Sequence, residues 1–275
     1  MTVTSDRPSS TSPLAPRPRA AISQKTLRTD RWWLAPLLTV TGLTAWVGYA
    51  TFRVFMQADY FSEGAGYKYL TPFYSPCVSK GCEPGSAEFG TFLPDHWFIP
   101  FAAVTLPFLL LFRLTCYYYR RAYYRSFWAS PPACAVPDGH KRYTGETRFP
   151  LIFQNAHRYA FYAAVIISLI NTWDAIVSFH GTKGFGFGLG NIILVGNVVL
   201  LWLYTLSCHS CRHITGGRLK HFSKHPLRYR FWIFVSKLNT KHMQLAWITL
   251  GTLALTDFYV MALASGWFSD LRFIN

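Results

Sequence analysis

Cysteine and histidine carry most of the chemistry legible in this chain of 275 residues, which holds six of the first and nine of the second. Cys208-His209-Ser210-Cys211-Arg212-His213 concentrates two thiols and two imidazoles in one short stretch. If that stretch continues a helix, about 100° per residue places Cys208 and Cys211 (i, i+3) on one face and His209 and His213 (i, i+4) nearly opposite. Two ligand sets follow. In the favoured one, Cys208 and Cys211 face a helix bundle and His157 with His242 complete the site. In the other, His209 and His213 bind one iron and Cys116 with Cys134 the second. Thiolates are the usual ligands of iron–sulfur clusters, and in a Rieske-type 2Fe–2S cluster two His replace two Cys on one iron. The residue types therefore point to such a cluster. Zinc also accepts Cys and His, but its structural sites staple small soluble fingers rather than the mouth of a bundle. Haem b takes His from facing helices. No apolar stretch here has a His near its middle, so two stacked haems lack ligands and one haem near the inner face is the alternative.

The elements that must position these residues are membrane helices. Hydrophobic residues make up 51% of the chain and charged ones 14%, well below the roughly 25% charged of a soluble domain. Five stretches, 32–56, 97–119, 156–179, 189–207 and 243–264, are long and apolar enough to cross a bilayer, which takes about 20 helical residues. The fold class expected is all-α, an integral membrane bundle of five transmembrane helices. Of the 27 Lys and Arg, twenty lie in residues 1–31, 117–155 and 208–242, and only four in the alternate connections and the C-terminal tail. The positive-inside rule then puts the N-terminus in the cytoplasm and the C-terminus outside, in the plasma membrane. Asp59, Glu63, Glu83, Glu88 and Asp95 all fall in the first outer connection. The net charge of +15 is thus a topology signal, and nucleic-acid binding, which needs a soluble basic face, is excluded.

Residues 1–31, rich in Pro, Ser, Thr and Arg, read as a disordered cytoplasmic tail, leaving 32–275 as one transmembrane domain. No internal repeat is apparent. Tyr117, Tyr118, Tyr119, Tyr123, Tyr124 and Trp128 interleave with Arg120, Arg121 and Arg125, the pattern of an interfacial helix that meets lipid headgroups or a soluble partner. Topology also sorts the cysteines. Cys77 and Cys82, flanked by Pro and Gly on the oxidising side, are expected to form a disulfide. Cys116, Cys134, Cys208 and Cys211 share the cytoplasmic side with His140, His157, His209, His213, His221, His225 and His242.

Ionisable groups in hydrocarbon cost at least ~2.5 kcal/mol on insertion scales. Asn171 and Asp174 share a face of the third span toward its outer half. They read as a quinone-headgroup or proton site, or more plainly as helix-packing and interface groups. Asn197 and Asp257 carry the plain reading. Arg113, three residues before Cys116, can snorkel to the inner face, counter a reduced cluster or bind a quinone oxygen. Gly184, Gly186, Gly188 and Gly190 imitate a phosphate loop but read as turn and close-packing residues. No Ser-His-Asp or paired-carboxylate hydrolase pattern is present.

Several strings together resemble one family: Leu70-Thr-Pro-Phe-Tyr-Ser-Pro-Cys77, Leu111-Phe-Arg-Leu-Thr-Cys-Tyr-Tyr-Tyr-Arg120, Tyr143-Thr-Gly-Glu-Thr-Arg-Phe-Pro150, Leu206-Ser-Cys-His-Ser-Cys-Arg-His213 and Ser236-Lys-Leu-Asn239. The chain resembles the membrane-anchor subunit of succinate dehydrogenase (respiratory complex II) from mycobacteria and related actinobacteria. The resemblance implies an anchor for a cytoplasmic flavoprotein subunit and an iron–sulfur subunit, and allows a higher oligomer of the complex. It also implies passage of electrons from succinate to a membrane quinone, menaquinone. Better-known five-helix anchors carry two haems on His near both ends of their first four spans. Here the first span has no His and the second has Cys116 where an inner ligand would lie, a departure that favours a cluster. The rival reading is a structural anchor with no redox centre of its own.

Overall fold

The protein is described by a computed structural model covering residues 28–79, 82, 88–93, 100, 102–139, 147–149 and 151–275. Of the expected tail, residues 1–27 lie outside the described residues, as do Glu83, Asp95 and His140. Among the described residues eight α-helices follow in chain order: α1 (Leu34–Met56), α2 (Ala102–Thr115), α3 (Tyr117–Ser126), α4 (His157–Val177), α5 (Leu189–Leu206), α6 (His209–Gly216), α7 (Pro226–Asn239) and α8 (His242–Ala264). Among the described residues four helical stretches are long and apolar enough to cross a membrane, and a fifth is added if α2 and α3 count as one span. At 1.5 Å per residue the 23 residues of α1 reach about 35 Å, more than a hydrocarbon core.

Two breaks shape the bundle. The second expected span does not run straight to residue 119. It stops at Thr115, and α3 leaves at 79° to α2. The hinge is Cys116, whose extended backbone (φ −65°, ψ 132°) makes it the N-cap of α3. Cys208 repeats this between α5 and α6, with φ −65° and ψ 144°. The assumption of a continuous helix through Cys208 therefore fails, and the 208–242 connection folds as α6 and α7.

Packing is centred on α4, α5 and α8: α8 lies mainly on α5, and α2 and α5 flank α4. Polar groups tie neighbouring helices, Trp202 Nε1 donating to Thr172 (2.9 Å) and Trp46 Nε1 to the Leu250 carbonyl (3.0 Å). Large apolar side chains such as Leu38 and Leu169 face outward, as lipid contact requires. Short two-stranded pairings close the loops: Phe61–Ser62 with Tyr69–Leu70, Cys77–Ser79 with Glu88–Leu93, His180–Gly181 with Gly184–Phe185, and Phe187–Gly188 with Arg272–Ile274. The glycine-rich run serves turn and packing. Gly184 has φ +85°, and a Cβ on Gly190 would meet the Tyr69 ring at 2.8 Å.

Candidate functional site

Four donors converge at the helix ends beside the two breaks. Cys116 caps α3, Cys208 caps α6, His157 opens α4 and His242 opens α8. Together they line one cavity of about 190 Å³ with Thr115, Tyr118, Arg120, Gln154 and His209, room for far more than a water molecule. His157 Nε2 lies 2.9 Å from Cys208 Sγ, and His242 Nε2 3.3 Å from Cys116 Sγ.

Hydrogen bonds fix the tautomers. Thr115 Oγ1 gives its only proton to the Leu111 carbonyl (2.7 Å), so at 2.8 Å it must accept Nδ1–H from His157. Ser207 Oγ gives its proton to the Tyr204 carbonyl (2.7 Å) and accepts Nδ1–H from His242 (2.6 Å). Each Nε2 therefore turns a lone pair toward a thiol, which donates to it. An imidazole anchored through Nδ1–H, with the Nε2 lone pair turned to the donor set, is the arrangement a metal-binding His needs.

The pairing is crossed. The hydroxyl beside Cys116 holds the imidazole that meets Cys208, and the hydroxyl beside Cys208 holds the one that meets Cys116. His157 stacks on Phe112 (centroids 5.2 Å) and His242 on Tyr204 (5.0 Å). Phe112 and Tyr204 each stand four residues before a cysteine, and Arg120 and Arg212 four after. Contrary to the expectation of no repeat, Leu114-Thr115-Cys116 and Leu206-Ser207-Cys208 form a short internal repeat whose two copies grip each other's histidine. The repeat could have been found in the sequence; its meaning appears only when both copies break their helices.

This set draws on both sequence-derived ones. Cys208, His157 and His242 come from the first, Cys116 from the second. Cys211 is buried in the same apolar cluster but does not line the cavity, and Cys134 is exposed. His209 and His213 line a second cavity. Burial pushes the Cys208 thiol up to about 12 and the Cys211 thiol to about 11. Among the described residues no three His, Cys, Asp or Glu side chains converge on one ion position; the donors stand as two pairs.

The surroundings are electropositive. The N-termini of α3, α6 and α8, at Cys116, Cys208 and His242, stand beside the cavity, each carrying partial positive charge. Arg113 is buried one turn before Cys116, donating to Tyr119 Oη (2.6 Å) and Thr249 Oγ1 (3.3 Å), with its guanidinium 5.0 Å from the Tyr204 ring. No described carboxylate pairs with it.

The model of the actinobacterial succinate dehydrogenase subunit SdhC family matches residues 34–266, a stretch that contains all four donors. The chain belongs to this family. Like other SdhC chains it is a subunit of the succinate dehydrogenase complex and a membrane anchor. It is similar to a chain of the Mycobacterium smegmatis Sdh1 complex in the apo form, at 69% identity and a TM-score of 0.86, over 95% of this chain and 98% of that one. No curated protein matches it.

The remaining candidates of this SdhC chain lie elsewhere. Asn171 Nδ2 donates to the Ile167 carbonyl of its own helix (2.9 Å), and Asp174 accepts from the Ser75 hydroxyl of the first long connection. Cys77 and Cys82 are joined as a disulfide. Sequence reasoning missed a buried ion pair at that end: Asp257 accepts from Arg53 Nε (2.7 Å), Tyr49 Oη (2.5 Å) and the Thr71 hydroxyl. An Arg in the last turn of α1 and an Asp in α8 were the available signal. A second carboxylate, Asp270, accepts from Tyr259 (2.6 Å), Tyr69 (2.7 Å), the Gly190 N–H (2.9 Å) and Arg272 (3.2 Å). Burial alone would raise it, but these donors hold it below the ordinary carboxylate range.

Proposed function

We propose that this chain is a five-span anchor that carries an electron relay of its own, held by Cys116, Cys208, His157 and His242. The observation that carries the reading is the crossed Cys–His clasp, in which the Nδ1 anchors leave both Nε2 lone pairs facing thiols. Two Cys and two His are the donor count of a Rieske-type 2Fe–2S cluster, although here each imidazole meets a thiol rather than the other imidazole. Tyr204, fully buried, stacks on His242 (5.0 Å) and has Cys116 and Cys208 as neighbours, so its ring closes the wall behind both thiols. When bound, such a cluster supplies one-electron transfer.

The chain's own residues prepare for an anionic centre. The helix N-termini favour thiolate over thiol once a cation arrives, while Thr115 and Ser207 keep both rings oriented. Arg113 supplies compensating charge and is the quinone-side candidate that lies with the Cys/His residues. Asn171 and Asp174 are retained as the candidate quinone or proton groups of the far end. The N-terminus is assigned to the cytoplasm and the C-terminus to the outside of the plasma membrane, from the distribution of Lys and Arg. Flavoprotein and iron–sulfur partners then dock on the Cys/His end, and electrons from succinate reach menaquinone through this chain. The relation to the Sdh1 complex supports those partners. Iron and acid-labile sulfide analysis of the purified complex, with Cys116→Ser compared to wild type, tests the relay. A haem absorption band without extra labile sulfide would favour haem b, and no metal above that of the partner subunits would leave a structural anchor.

A further inference from the structure

The second cavity, about 260 Å³, is lined by His209, Arg212, His213, Gly216, Gly217 and Trp232 where α6 meets α7. Its walls are built. Arg212 lies over the Trp232 ring at 5.4 Å and donates through Nε to Ser236 Oγ (3.1 Å), leaving both terminal guanidinium nitrogens unengaged. Arg158, outside the lining, holds one of the wall's imidazoles in place, its Nη2 2.6 Å from His213 Nδ1. No described carboxylate pairs with either arginine. The glycines allow close packing of the walls: a Cβ on Gly216 would meet the Trp232 ring at 2.3 Å, and one on Gly217 the His213 carbonyl oxygen at 2.3 Å. The C-terminal carbonyls of α6, which would repel an anion, are already taken. Arg228 donates to Ile214, Thr215 and Gly217 oxygens.

We propose that this cavity binds the phosphate of an anionic phospholipid headgroup. The Arg212 guanidinium with the His209 and His213 imidazoles, none paired with a described carboxylate, suits a phosphate, which guanidinium recognises with two parallel hydrogen bonds. The flanks suit acyl chains: Leu227 (79% exposed) and Phe231 stand one turn apart on α7, and Tyr159 (74%) follows Arg158 on α4. Clusters of Lys and Arg immediately cytoplasmic of a membrane helix are recurrent headgroup sites. The assignment is independent of the metal reading, because none of its arguments uses the Cys/His clasp.

The test uses the intact complex in a zwitterionic detergent, titrated with short-chain phosphatidylglycerol and, separately, with inorganic phosphate, following the unfolding temperature. Wild type is expected to be stabilised saturably by phosphatidylglycerol and not by phosphatidylcholine. The apparent Kd should rise at least tenfold in Arg212→Gln and in Arg158→Gln, recover in part in Arg212→Lys, and leave iron content unchanged. Equal stabilisation by inorganic phosphate would overturn the lipid source. An unaltered lipid response in both glutamine variants, or loss of partner subunits from them with no lipid effect in wild type, would overturn the site.

Discussion

Replacing Asp257 by Asn should destabilise the bundle more than any other single isosteric change. Both side chains of the Arg53–Asp257 pair are fully inaccessible. Asp257 takes two bonds from Arg53 (2.7 and 3.3 Å), one from Tyr49 and one from Thr71, so α1, α8 and the first long connection meet on one carboxylate. Removing one partner of a buried pair costs about 3–5 kcal/mol, because the other charge is left without its counter-ion. The Ala58 and Asp59 carbonyls that Arg53 also reaches offset only part of that. Each stranded hydroxyl donor adds about 1–3 kcal/mol if it finds no new acceptor. For a chain of this size such a loss lowers the unfolding temperature on the order of 10 °C, readable by differential scanning fluorimetry in detergent. Combining Arg53→Met with Asp257→Leu removes both charges. The double variant should lose less than the sum of the singles, with a coupling of roughly 1–3 kcal/mol. A shift of under 2 °C for Asp257→Asn, or strictly additive single losses, would refute the reasoning.

The clasp predicts that Cys116→Ser and His157→Ala each abolish the extra iron and its electron paramagnetic resonance signal, whereas Cys211→Ala keeps both. The reverse result for Cys116 and Cys211 restores the helical-face set. Asp270 has a folded-state value below the ordinary Asp value of about 3.9. Its contribution is therefore complete above that pH and is lost as pH falls through the depressed value. Acid titration of the unfolding temperature should show a fall below about pH 4 that Asp270→Asn lacks; identical curves would remove the assignment. Replacing Cys77 and Cys82 with Ser opens a loop of sequence separation 5 and should cost about 2 kcal/mol by chain entropy. Faster proteolysis within the first long connection, with the helices retained, is the expected readout.

Hydropathy located the apolar helices because lipid demands the same thing of every residue in a stretch. It could not see that Cys116 and Cys208 leave the helical path, since neither residue breaks helices by propensity. The wheel through 208–213 therefore joins Cys208 to Cys211, whereas the folded chain sets His157 against Cys208 and His242 against Cys116. His157 and His242 were legible because they open apolar stretches on the basic side. Asp257 was visible as an ionisable group in a span, but its partner Arg53 lies far off in sequence and near the end of α1. Pairing across the bundle is a tertiary property that no local pattern encodes. The hydroxyls of Thr115 and Ser207 were equally invisible as ligand orienters, because their role follows from where their single protons go.

The crossed grip also sets an order of biosynthesis. Each imidazole needs a hydroxyl from one copy of the repeat and a thiol from the other, so neither copy is complete alone. His242 opens the last long helix, and chains emerge N-terminus first. Until that helix has been made and packed, Cys116 has no partner ring. A nascent or truncated chain thus presents at most one of the two pairs, and the clasp closes only in a finished subunit.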